Sequence, residues 1–128
     1  MSIANTMSPE FVLSGIKVVD FSRLLPGPWA TQMMADFGAE VIKVEQPDIG
    51  DGARHNPPNY ETTSAYFHSV NRNKRGIALD LAKPEAQTIA HKLISGADVV
   101  LESYRVGVTK KLGIDYETCK KLNGKVIY

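Results

Sequence analysis

The feature that most constrains this chain is the segment from Leu13 to Glu45, which reads as a strand, a glycine and proline turn, a helix and a second strand. The β-branched and aromatic run at residues 16–21 predicts a first strand covered on both faces. Gly27 and Pro28 supply the turn, because proline has a helical φ and tolerates the first helical position. A strand, helix and strand in this order need a right-handed crossover, so the sequence predicts an α/β fold with parallel strands.

The helix inside this unit has an apolar stripe. Ala30, Met33, Met34 and Phe37 recur at helical spacing, which predicts that one face of the helix is apolar. Gly38 follows as a left-handed cap, and the apolar run after it is the second strand.

The bend between the first strand and the helix, residues 22–28, is a candidate ligand site. Open α/β sheets bind ligands beyond the carboxyl ends of their strands, and a helix N-terminus there favours an anion or a carbonyl oxygen. A dinucleotide fits poorly, since the turn lacks G-x-G-x-x-G and Pro28 removes a donor. Glu45, at the end of the second strand, is the one residue that stands where such folds place a ribose-binding acid.

Two segments further along could contact a ligand. The loop over residues 46–60 is too long for an idle connector, so we expect it to cover a ligand or a partner subunit, the alternative being a simple excursion. A basic run at residues 71–75 precedes a third strand at residues 77–81. This run is either a solvated face or, because it is held in a tight connection, a phosphate-binding element.

The rest of the chain continues the alternation. A helix follows from Pro84 to Gly96, then a fourth strand at residues 99–101 whose carboxyl end runs into the loop at 102–107, and two short helices up to residue 122. His91 falls off the apolar stripe and Cys119 reads as a core residue, so neither is a candidate for catalysis. A fifth strand begins at Lys125, and from this rhythm we expect the chain to be the N-terminal piece of a larger protein.

Composition excludes several classes. The net charge of +1 offers no strongly basic surface for nucleic acid, and no apolar run reaches membrane-spanning length. The N-terminus lacks the regions of a signal peptide, and the single cysteine cannot form an internal disulfide, so we expect a cytoplasmic protein. Residues 1–12 are predicted to be a flexible leader and residues 13–128 one domain.

Several segments carry a family resemblance, which extends over nearly the whole chain from residue 13. GIKVVDFSRLLPGPWATQMMADFGAEVIKVEQP, GDGAR, SAYFHSVNRNKRGIALDL, ADVVLESYRVGV and LGIDYETCKKLNGKVIY together resemble the N-terminal portion of the class III coenzyme A transferases. This family includes formyl-CoA transferase, carnitine CoA-transferase and the α-methylacyl-CoA racemases.

The resemblance implies a fold and an activity. The fold would be the truncated N-terminal part of a Rossmann-like large domain, an open and mainly parallel sheet with helices on both faces, from a larger interlocked homodimer. The family's transferases move CoA between carboxylic acids through an aspartyl-CoA thioester. Its nucleophilic aspartate, and the acid/base pair of the racemases, lie beyond the end of this sequence, so no catalytic residue is assigned.

The resemblance also implies contacts with coenzyme A, and no metal. Leu25 and Pro26 fall in the turn that borders the thioester and pantetheine. The segments that resemble the adenosine and phosphate contacts contain Arg75, Leu79, Ser103, Tyr104, Arg105 and Lys111. Phosphates need cations and adenine needs an aromatic or aliphatic bed, which these residue types supply. Gln46 and Ser103 depart from the arginine and asparagine that relatives often have there.

We therefore expect an acyl-CoA-binding portion of a class III CoA transferase, with acyl-CoA and a small carboxylic acid as partners and neither nucleic acid nor membrane. The alternatives are the corresponding portion of an α-methylacyl-CoA racemase and a non-catalytic truncated relative that acts as a binding or dimerisation module. A nicotinamide-dependent oxidoreductase domain rests on fold analogy alone.

Overall fold

The computed structural model describes residues 11–128, so most of the predicted leader lies outside the described residues. Within this part the chain alternates strands and helices, as the sequence predicts. In chain order the elements are β1 (Lys17–Asp20), α1 (Pro26–Asp36), β2 (Glu40–Glu45), β3 (Asn59–Tyr60), β4 (Thr63–Ser64), α2 (Ala65–Ser69), β5 (Arg75–Ala78), α3 (Pro84–Ser95), β6 (Val99–Leu101), α4 (Val108–Lys111) and α5 (Tyr116–Leu122). No helix of this part is both long enough and apolar enough to cross a bilayer.

Four strands form one parallel sheet in the order β5-β2-β1-β6. Val18 of β1 lies opposite Val41 on one side and Val99 on the other. The chain thus builds outward from β1 in one direction and then returns to add β6 on the other side. The carboxyl ends of β1 and β6 flank this change of direction, which is where open α/β sheets place their ligand sites. The prediction of a parallel α/β sheet is confirmed.

Helices cover both faces of the sheet, as expected. On one face, α3 and α5 bury Phe21, Ile94 and Cys119 together with the apolar side chains of β1, β2 and β6. On the other, Val18 and Val41 pack against Ala35 of α1. Burial of apolar area on both faces accounts for the near-continuous apolar sequence of β1.

The predicted apolar stripe of α1 packs on the core only in part. Met34 packs against the cluster of Val18 and Val41, whereas Met33 and Phe37 are 46% and 55% exposed, and the neighbouring Trp29 is 55% exposed. The helix instead buries Thr31 and Ala35 with the other small and polar residues of that side. The reason is tertiary, because the sheet presents charged side chains to this helix near the carboxyl edge, and hydroxyl and carbonyl groups can satisfy them where methionine cannot. Gly38 does have φ +97°, which confirms the left-handed cap.

Arg54 holds the long loop after β2 in place. It contains a short 3₁₀ turn, Gly52–His55, followed by the β3–β4 hairpin. Arg54 donates two hydrogen bonds to Glu45, of 2.9 and 2.7 Å, and its guanidinium carbon lies 3.7 Å from the centre of the Phe67 ring. Glu45 is therefore committed to Arg54 and to the Asp51 amide, rather than presented to a ribose.

Candidate functional site

The bend from Ser22 to Pro28 leaves the carboxyl end of β1 and is held in an unusual backbone conformation. Leu24 has φ +67°, a left-handed value that a branched side chain rarely adopts. Its N–H donates to the Asp51 carboxylate at 3.0 Å, and the preceding N–H of Arg23 donates to the Ser103 hydroxyl at 2.9 Å. Strained backbone of this kind persists only where its surroundings hold it, so the bend is preorganised.

Two buried ion pairs tie the bend to the rest of the fold. Lys43 and Asp51 approach to 2.9 Å with side chains 3% and 0% exposed, and Lys74 and Asp20 approach to 3.1 Å with side chains 2% and 0% exposed. Each ammonium also donates to a carbonyl of the bend, Lys43 to Ser22 at 2.9 Å and Lys74 to Pro28 at 2.8 Å. Carboxylates and ammonium groups thus satisfy one another and fix the backbone at the sheet edge.

The electrostatics of these groups follow from burial and bonding. Burial alone would raise the pKa of the Asp51 carboxyl, but the amides of Ala53 and Leu24 and the charge of Lys43 outweigh it, so this pKa lies below its usual value. Burial lowers the pKa of the Lys74 ammonium, and the Asp20 carboxylate opposes that shift only in part. The cluster therefore holds charge where solvent is largely excluded.

A first cavity of about 320 Å³ lies at the carboxyl ends of β2 and β5. Apolar side chains and three carboxylates line it. Those carboxylates are already paired, Glu45 with Arg54, Asp51 with Lys43 and Asp80 with Lys83. Its lining is Arg23, Val44, Glu45, Gln46, Gly50, Asp51, Leu79, Asp80, Leu81, Ala82, Tyr104, Val108 and Leu112.

A second cavity, which we call the bend cavity, has a volume of about 610 Å³. Its lining residues are Arg23, Leu24, Pro26, Gly52, Ser103, Tyr104, Arg105 and Val108. Two guanidinium groups line it and no carboxylate does, so this cavity favours an anion where the first does not. Arg23, Tyr104 and Val108 line both cavities, and the two therefore adjoin.

The structure brings together most of the residues expected to contact coenzyme A. Pro26, Ser103, Tyr104 and Arg105 line the bend cavity. Leu79 lies with Tyr104 in the first cavity. Leu25 and Lys111 line neither, although they neighbour residues that do: Leu25 immediately precedes the lining residue Pro26, and Lys111 ends the short helix that begins with Val108.

Arg75 does not join this group, which corrects the expectation that it shares a site with Arg105. It is the first residue of β5 and pairs at 2.8 Å with Glu40, the first residue of β2. Since the strands are parallel, this pair lies toward the amino edge of the sheet, away from the cavities. Its neighbours in the basic run are likewise engaged within the chain, Arg72 with Asp36 and Lys74 in the buried cluster, so the structure does not bring the run to the cavities.

Sequence reasoning did not single out Arg23, Lys43 or Asp51. Lys43 carries a recognisable signal, a lone cation inside an apolar strand, because a buried charge needs a partner elsewhere in the fold. Arg23 is a cation in a carboxyl-end bend. Asp20 accepts a hydrogen bond from the Ser22 amide and pairs with Lys74, so its role in this structure is to cap the bend and to hold the buried cation.

Two further observations concern Tyr104 and the clustering of potential metal ligands. Burial raises the pKa of the Tyr104 hydroxyl, so it stays protonated and can donate a hydrogen bond at neutral pH. Among residues 11–128, His, Cys, Asp and Glu nowhere gather in the threes or more that a metal ion requires.

Relatives of known activity match nearly all of this chain. The chain is 46% identical over 123 residues to a protein of Agrobacterium fabrum named succinate–glutarate CoA-transferase. This match covers 91% of the chain and 31% of the relative. The chain is 40% identical over 118 residues to a formyl-CoA:oxalate CoA-transferase of Afipia carboxidovorans, covering 90% of this chain and 27% of the relative. The chain thus spans about a third or less of the length of these relatives.

A solved structure agrees with the sequence relatives. A CAIB/BAIF family protein from Brucella suis superimposes with a TM-score of 0.87 and 42% identity, covering 93% of this chain and 32% of that one. The sequence model of the family described as CoA-transferase family III matches residues 13–128. With the parallel sheet, the cavities at its carboxyl edge and this match in agreement, the chain belongs to CoA-transferase family III.

Proposed function

We propose that this chain is the acyl-CoA-binding N-terminal part of a class III CoA transferase, which moves CoA between carboxylic acids. The observation that carries the proposal is the pair of adjoining cavities at the carboxyl edge. The first is lined by apolar side chains and by carboxylates that are paired, and the second by two guanidinium groups that form no ion pair with a described carboxylate. Coenzyme A has the same division, a flat heterocycle at one end and an anionic, extended remainder.

The adenine fits the first cavity. Leu79 and Leu81 supply an aliphatic bed, and Tyr104 adds an aromatic face. The carbonyls and carboxylates around this cavity can accept hydrogen bonds from an exocyclic amine, while their charges would repel phosphate. This supports the nucleobase rather than the phosphates as its occupant.

The remainder of the coenzyme fits the bend cavity. Arg105 presents a guanidinium to a phosphate, and Pro26 with Leu24 gives the pantetheine an apolar wall that leads to Leu25 at the start of α1. In this assignment the bend positions the thioester. The role that this proposal gives to the residues of the chain is to bind and orient the coenzyme.

The second substrate in this proposal is a small carboxylic acid. The relatives' names carry succinate, glutarate, formyl-CoA and oxalate, all of them short acids or their acyl forms. These names support a short carboxylic acid as the second substrate, and the donor and acceptor acids are a matter for measurement.

We also propose that the full-length protein pairs with a second subunit. The exposed stripe of Trp29, Met33 and Phe37 on α1 supports an additional contact surface, since an apolar stripe of this kind is unusual on a helix that faces only water. Light scattering of this chain and of Met33→Lys tests it. We expect association in the first and not in the second, and monomers in both would contradict the role of the stripe.

Calorimetry with CoA tests the binding proposal. We expect the chain to bind CoA, and Arg105→Gln to weaken binding about tenfold to a hundredfold, because a charge-assisted hydrogen bond contributes roughly 1.5–3 kcal/mol. Arg75→Gln is the matched control, since it removes the same charge far from the cavities and should leave the affinity unchanged. No binding by the parent chain, or equal weakening by both variants, would overturn the assignment.

A further inference from the structure

Among the arginines of residues 11–128, Arg23 alone lines both cavities. It was assigned no role by sequence reasoning. The side chain stands at the junction, where Tyr104 and Val108 also border both cavities. A ligand that extends from one cavity into the other has to pass it.

The guanidinium of Arg23 is held in position without being neutralised. Its central carbon lies 4.6 Å from the centre of the Tyr104 ring, a cation–π contact, and its backbone is fixed by the Ser103 hydroxyl. Of the four other arginines in the described part, those at positions 54, 72 and 75 pair with carboxylates, whereas Arg23 forms no ion pair with any described carboxylate. Its donors thus remain available to an external anion.

The charges around Arg23 favour an anion at the junction of the two cavities. Toward the first cavity the neighbouring carboxylates already accept from cations of the chain and offer a phosphate no donor, and toward the bend cavity the second guanidinium belongs to Arg105. With adenine in the first cavity and pantetheine in the bend cavity, the group between them is the diphosphate. Arginine matches phosphate oxygens with two parallel hydrogen bonds, which gives affinity and orientation together.

We propose that Arg23 binds the diphosphate of the coenzyme at the junction and that stacking on Tyr104 preorganises it for this contact. The inference rests on the proposed function and goes further, since it names the residue that joins the two halves of the site. A carboxylate at the far end of an acyl group is the other anion that could reach this guanidinium, and the experiment separates the two.

The test is calorimetry of the whole chain and of Arg23→Gln with CoA, dephospho-CoA, ADP, adenosine and succinyl-CoA. Arg23→Lys keeps the charge without the fork, and Arg75→Gln is the distant control. We expect Arg23→Gln to weaken CoA, dephospho-CoA and ADP by a similar factor of about ten to a hundred, with adenosine unchanged and Arg23→Lys between the two. The loss should shrink as salt is raised.

Each other result overturns the proposal in a recognisable way. Weakening of succinyl-CoA without weakening of CoA assigns Arg23 to the acyl carboxylate. Unchanged binding of all five ligands removes it from the site while leaving the proposed function intact. If the parent chain does not bind CoA, the proposed function is refuted. If the parent chain and Arg75→Gln bind CoA and Arg23→Gln does not, the loss is confined to Arg23.

Discussion

Replacing Lys43 by methionine should destabilise this domain far more than breaking an ion pair of the same length on its surface. The Lys43 ammonium lies 2.9 Å from Asp51 with side chains 3% and 0% exposed, whereas Arg75 lies 2.8 Å from Glu40 with side chains 76% and 43% exposed. The two pairs have nearly equal distances, so their difference isolates the effect of burial.

The magnitude follows from what each change leaves behind. Methionine fills much of the lysine volume but leaves the Asp51 carboxylate buried and uncompensated and the Ser22 carbonyl without its donor. Removing one partner of a buried pair destabilises by about 3–5 kcal/mol, while exposed pairs contribute about 0.2–1 kcal/mol. Against a total stability of roughly 5–15 kcal/mol, the first loss is severe and the second is small.

Urea denaturation of the parent chain, Lys43→Met and Arg75→Met, followed by far-UV circular dichroism and by Trp29 fluorescence, measures both. The double variant Lys43→Met with Asp51→Asn should recover part of the loss, because it removes the stranded charge while the amide oxygen can still accept from Leu24. If Lys43→Met proves no more harmful than Arg75→Met, or if the double variant shows the simple sum of its two parts, the reasoning from buried charge is refuted.

Three further predictions concern close packing and burial. Gly27→Ala should lower the melting temperature markedly, since its added methyl would overlap the Ser22 side chain and lie 2.9 Å from a Leu101 methyl, whereas Gly76→Ala, with nothing within 4 Å, should change it little; calorimetric scans of both give the comparison, and equal shifts would contradict it. Burial raises the pKa of the Cys119 thiol to about 11, so labelling by a disulfide reagent should stay slow at pH 9 in the folded chain and become fast in urea. Because the unfolded thiol ionises first, stability should also fall as the pH rises from about 9 toward 11, and rapid labelling of the folded chain at pH 9 would show that Cys119 is accessible.

The strand and helix alternation was readable from the sequence because it depends on local order. Apolar β-branched runs, a proline at the first helical turn and Gly38 at the end of α1 all act over a few neighbouring residues. The parallel sheet follows from these and from the handedness of the crossover. The segments that carry the family resemblance are equally a property of the sequence, and the match over residues 13–128 confirms it.

The misplaced predictions share a physical reason. The apolar stripe of α1 predicted one apolar face, but the side of the helix that is buried is the one whose Thr31 hydroxyl and Pro28 carbonyl bond to Asp20 and Lys74. In the basic run, neighbouring cations were assigned together, although successive side chains at the start of β5 point to opposite faces. Lys74 therefore enters the buried cluster while Arg75 turns outward to Glu40.

The sequence by itself determined the order of strands and helices, the parallel connection and the family, because each is encoded in local patterns. Only the tertiary structure decided which residues meet at the carboxyl edge. Asp51 reaches Leu24 across a gap of 27 residues and Ser103 reaches Arg23 across 80. Contacts at such separation depend on how the strands are ordered in the sheet, and no periodicity in the chain reports them.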